Sequence, residues 1–151
     1  MSKSTGNFLT LVDSCRLFTA DATRLTMADA GDTLLDANFV VKTADQAVID
    51  LHTCLSWIKN ALGDLSVYRT GEMNFFDNVF NNEMNAANAA TKEFYATMRF
   101  KLGLRESWFN LIHKKNSYDK NLTMGLNNMP LHRDLVVKYC EYQCLLMAPV
   151  T

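Results

Sequence analysis

Between Thr43 and Gly63 the apolar residues Val48, Leu51, Leu55, Ile58 and Leu62 recur at alternating intervals of three and four. That is the period of one helix face, and it is incompatible with the strict alternation of a half-buried strand. The same period returns along the chain. Phe8, Leu11, Val12, Cys15, Phe18, Ala22 and Leu25 make a stripe that stops near Gly31. Phe76, Phe80, Met84, Ala87, Phe94 and Met98 make another between Glu72 and Leu102, and Leu135, Tyr139, Tyr142 and Leu146 a last one before Pro149. Only six glycines and two prolines interrupt the 151 residues. The expected architecture is all-α, a single-domain bundle of five or six helices over residues 1–151.

Local signals refine the boundaries. Thr43-Ala44-Asp45-Gln46 has the form of a capping box, so a helix is expected to start there and end at Gly63. Val48 to Leu62 then form a narrow seam with Leu55 in the core. A shorter helix is expected over Thr33 to Lys42. The run Ala86-Ala87-Asn88-Ala89-Ala90 is small on every side, which predicts a close helix crossing. Gly103 is read as a break, with helix resuming over Arg105 to Lys115 and a long connection over 116–129. Pro130 suits the first turn of the last helix.

With 48% hydrophobic and 21% charged residues, a chain of this length buries a core without disulfide or metal. Cys15, Cys54, Cys140 and Cys144 contain no Cys-x-x-Cys pair and read as reduced thiols. No apolar run reaches the length of a membrane span, so a cytoplasmic setting with no membrane contact is expected. Glycine-rich phosphate loops, His-Glu-x-x-His and Gly-x-Ser-x-Gly do not occur, and no cofactor is expected. Cys140, Cys144 and His132 lack a fourth zinc ligand nearby, so no metal site is expected either. Asp50, His52 and Cys54 are no catalytic set, because residues two apart on a helix point to nearly opposite sides.

Charge is divided between the two ends. Residues 1–90 hold six lysines and arginines against eleven acids, and residues 91–151 hold nine against five. Within the basic part, Tyr95 to Lys114 resembles a helix-turn-helix, with Gly103 in the turn and Leu102, Leu104, Phe109 and Ile112 packing the two arms. Arg99 stands where such motifs place a small residue. The resemblance implies outward-facing Arg105, Ser107, Asn110 and Lys114, and the wider stretch adds Arg99, Lys101, Lys115 and Lys120 as candidate nucleic-acid contacts. Arg105 and His113, with seven residues between them, would point well apart on a straight helix.

The leading expectation is a non-enzymatic helical interaction protein that binds a protein partner or itself. Fourteen asparagines, clustered at Asn74 to Asn88, suggest a viral or phage source. The alternative is a nucleic-acid-binding or regulatory protein that uses residues 95–120.

Overall fold

The computed structural model describes residues 6, 8–31, 38–125 and 128–151. Among these the regular structure is helical, as the periodicity predicts: α1 (Leu11–Phe18), α2 (Ala20–Ala30), α3 (Val41–Gly63), α4 (Phe75–Ala96), α5 over 100–125 and α6 (Arg133–Met147). A 3-10 turn spans Leu65–Val67, and one parallel bridge pairs Arg69 with His132.

Two core clusters meet at α5. Leu104 and Trp108 pack with Phe18, Ala22, Leu25, Ala44 and Ala47, whereas Leu111, Tyr118 and Leu122 pack with Ile58, Phe80, Met84 and Tyr139. The second cluster is aromatic: Phe80 and Tyr118 stack at 4.5 Å, and Trp57 meets Tyr139 edge-on at 5.3 Å. Fully burying one such large apolar side chain stabilises by about 1.5–3 kcal/mol.

Several boundaries differ from the sequence expectation. The first stripe is cut by Thr19, whose φ of 71° ends α1; its hydroxyl then caps α2 by accepting from Ala22 N–H. Ser14 and Thr23, hydrogen-bonded at 3.0 Å, tie the two pieces together. Half of the expected helix over Thr33 to Lys42, residues 33–37, lies outside the described residues; 38–40 are not helical, and Val41 and Lys42 belong to α3. α3 starts at Val41, so Thr43 lies inside it and forms no cap. Its buried face carries Ala44, Ala47, Ile58 and Ala61, while Leu55 and Leu62 are 55% and 46% exposed. The seam is rotated because α2 packs on the alanines, which allow a close approach.

Farther on, α4 begins at Phe75 under a capping box built by Asn74 and Asp77, and within Ala86 to Ala90 only Ala87 is buried. The chain turns at 97–99, where Met98 has a φ of 58°, and not at Gly103. α5 is continuous through Phe100–Leu104, a π-helical stretch Arg105–Asn110, and Leu111–Gly125, so most of the expected connection over 116–129 is helix. Pro130 lies before α6, which starts at Arg133 with His132 as its cap.

Candidate nucleic-acid interface

The π stretch decides which side chains α5 presents. On a straight α-helix residues four apart drift by about 40°, so three such steps turn a file by about 120°. A π turn takes one more residue, through its i→i+5 bonds, and absorbs that drift. Lys101, Arg105, Phe109 and His113 accordingly all lie exposed along one side of α5, and Asn116 and Lys120 continue the file. Arg105 and His113, expected to diverge, therefore share a face.

The predicted contact residues divide. Lys101, Arg105 and Lys120 stand on the exposed file. Arg99, in the turn before α5, has its guanidinium 5.7 Å from the centre of the Phe94 ring. Lys114 is half-buried on the flank. Lys115 points toward α3, its ammonium 4.5 Å from the centre of Trp57; burial pulls its pKa down, with Asp119 the main opposing influence.

Two expectations fail. Ser107 is fully buried, its hydroxyl 3.3 Å from Tyr95 Oη and 3.6 Å from Met147 Sδ, so it reaches no ligand outside. Asn110 is half-buried and donates from Nδ2 to Glu106 Oε1 at 2.8 Å. Both follow from the misplaced turn. The helix-turn-helix reading puts a bend at Gly103, but Gly103 is an ordinary helical residue covered by the Tyr95 ring.

Phe109 is what sequence reasoning missed. It was expected to lock two arms together, yet it is 43% exposed, a large aromatic between cations. Phe109 lines two hollows. One, of about 250 Å³, runs between α3 and α5 and is lined by Asp50, Thr53, Trp57, Lys115 and Asn116. The other, of about 290 Å³, is bounded by Thr26, Asp29, Lys42, Gln46 and again Asp50.

A second polar cluster lies at the far end of α5 and has no periodic signal in the sequence. Buried Asp77 accepts from the Arg69 guanidinium, Tyr118 Oη and, at 2.6 Å, Asn74 N–H. Burial raises the Asp77 pKa, but these three donors outweigh it and hold the carboxyl below its usual range. Arg69 also donates to Pro130 O at 3.0 Å, and its N–H to Leu131 O at 3.0 Å. His132 accepts at Nδ1 from Asp134 N–H and donates from Nε2 to Gly71 O at 3.1 Å. These groups are occupied in pinning residues 69–77 to Tyr118 and to residues 130–134, which is a structural task.

Cys54 and Cys140 behave as packing residues. Burial, helped by Cys144, pushes the Cys54 thiol up to about 11, and burial does the same for Cys140. Such thiols stay protonated at neutral pH and are poor nucleophiles. Among the described residues no helix is long and apolar enough to cross a membrane.

No family model matches the chain. It is, however, similar along nearly its whole length to cytoplasmic leucine–tRNA ligases. The identity is 40% over 151 residues with that of Neurospora crassa, 42% over 150 with that of Pongo abelii, and 40% over 151 with that of Saccharomyces cerevisiae, in each case covering 99% of this chain. The chain spans only 13%, 12% and 13% of those relatives. These matches overturn the expectation of a non-enzymatic interaction protein and that of a viral or phage source, because the relatives are ligases of cellular organisms. The expected cytoplasmic setting agrees with the relatives' names. Residues 1–151 correspond to one segment of the much longer leucine–tRNA ligases.

Proposed function

We propose that this chain is a part of a leucine–tRNA ligase that holds the tRNA, gripping its sugar–phosphate backbone through the exposed file on α5. The observation that carries the reading is the alignment of Lys101, Arg105, His113 and Lys120 on one solvent-facing side, with Phe109 among them. Two lysines and an arginine on one face supply sequence-independent attraction to phosphates by releasing condensed counterions. Arg105 adds a planar fork that fits phosphate oxygens bidentately. The similarity to proteins named as tRNA ligases supplies the polyanion, and the setting proposed with it is the cytoplasm.

Fluorescence anisotropy with a labelled tRNA transcript tests the reading. The double change Lys101→Ala and Arg105→Ala is expected to weaken binding about a hundredfold or more, since two charged hydrogen bonds of about 1.5–3 kcal/mol each are lost. Lys59→Ala with Lys92→Ala, two exposed lysines on α3 and α4, is the control and is expected to change little. Equal losses from both pairs would refute a dedicated face.

A further inference from the structure

We infer that the two hollows flanking Phe109 bind unpaired ribonucleotides, with a base against each face of the ring. The inference rests on the RNA-binding reading above and names the part of the nucleic acid that this site takes.

Three observations converge. First, an aromatic ring 43% exposed on a helix face between Arg105 and His113 lines both hollows, and single-stranded RNA is held by stacking splayed bases on such rings. Second, the volumes of about 250 and 290 Å³ lie near the lower end of ligand pockets, about 300 Å³, and each has room for one flat heterocycle. Third, the outer file carries cations alone, Lys101, Arg105 and Lys120, whereas each hollow also holds carboxylate: Asp50 beside Lys115 in the first, and Asp50 with Asp29 beside Lys42 in the second. Carboxylates repel phosphate but accept from the amino groups of bases, so the strand would run with its backbone along the file and its bases turned toward α3.

Asp50 is held for this task. Gln46 Nε2 donates to its Oδ1 at 2.8 Å, which orients the carboxylate at the wall between the hollows. Asn116, with both a donor and an acceptor, lines the first hollow with it. An acceptor-only carboxylate discriminates between the pyrimidines: cytosine presents an amino donor where uracil presents a carbonyl oxygen.

The test uses fluorescein-labelled octacytidylate, octauridylate and a blunt twelve-base-pair RNA duplex, titrated at low salt with this chain and its variants, with circular dichroism confirming each fold. Wild type is expected to bind octacytidylate more tightly than octauridylate. Phe109→Ala should weaken octacytidylate about 25-fold or more, the product of the roughly fivefold minimum cost of each of the two stacked bases. Its effect on the duplex should be small, and Phe109→Trp should retain binding. Asp50→Asn should narrow the preference for cytidine over uridine. If Phe109→Ala leaves both single strands unaffected while Lys101→Ala with Arg105→Ala weakens every RNA, the backbone grip survives and the hollows belong to a protein contact. If Phe109→Ala weakens the duplex as much as the single strand, stacking is refuted. If no RNA is retained at low salt, both readings fall.

Discussion

Gly103→Ala separates the two roles a glycine can have in a helical chain. A Cβ built at Gly103 would press on Tyr95 Cε1 and sit 2.5 Å from Cδ1. The ring cannot swing away without loss, because Tyr95 Oη donates to Leu146 O at 3.2 Å and lies 3.3 Å from Ser107 Oγ. Alanine gains about 1 kcal/mol over glycine in helix propensity. Overpacking costs about 1–3 kcal/mol, and losing the hydroxyl's bonds about 1 kcal/mol each. The expected net is a destabilisation of about 1–3 kcal/mol, read from urea unfolding with an unchanged m-value. In a Tyr95→Ala background the clash is gone and the sign should reverse, with Gly103→Ala stabilising by up to about 1 kcal/mol. An equal loss in both backgrounds would mean that Gly103 serves the backbone and not the ring, and the continuous α5 would be wrong.

Other predictions follow from burial. Asp77→Asn should cost about 3 kcal/mol, because it leaves the Arg69 guanidinium and Tyr118 without their charged acceptor. Since the Asp77 pKa is lowered in the fold, its stabilisation is complete above the unfolded value near 3.9 and is lost as pH falls through the folded one. An acid titration of Asp77→Asn should lack that loss, and a wild-type profile identical to the variant's would contradict the ion pair. Ile58→Ala should cost about 2–5 kcal/mol, and the exposed Leu55→Ala no more than about 1 kcal/mol, by denaturant midpoints. Thr91, fully buried with no partner for its hydroxyl among the described residues, should tolerate valine and gain about 1 kcal/mol, and a loss of that size would reveal a bond to the hydroxyl.

What the sequence made legible was what is local. Helix content followed from periodicity, because a face that must be buried every three or four residues writes its own spacing. Breaks were harder. Thr19 and Met98 adopt left-handed backbone without being glycine, and no composition signal marks them. Gly103 was read by its propensity, when its cause is a ring from eight residues earlier. Residues 116–125 looked like a loop because the end of α5 buries only Tyr118 and Leu122 and leaves the rest to solvent. The Asn74-Phe75-Phe76-Asp77 cap was readable as an amide followed three residues later by an acid. The asparagine cluster taken as a mark of source has partly structural work, with Asn81 and Asn85 each accepting from Lys138 Nζ at 2.7 Å.

The same division holds for the candidate interface. Charge is visible in any sequence, so Lys101, Arg105 and Lys120 were named from it. The π turn was not visible, and it exchanges the expected roles of Ser107 and Phe109: the polar residue is inside and the aromatic outside. The Arg69–Asp77 pair was missed because it draws on neighbouring elements, the loop after α3 and the first turn of α4, with no repeat to connect them.

The central claim is that the α5 file grips RNA phosphates, and its most direct test is the salt dependence of tRNA binding. The logarithm of the association constant should fall linearly with the logarithm of salt concentration. Replacing Lys101, Arg105 and Lys120 together with alanine should flatten that slope by about 2 to 3 units, since each lost contact removes roughly 0.7 to 0.9 of a released counterion. Replacing Lys59 and Lys92 should leave it unchanged. A slope untouched by the triple change, or flattened as much by the control pair, would contradict the account.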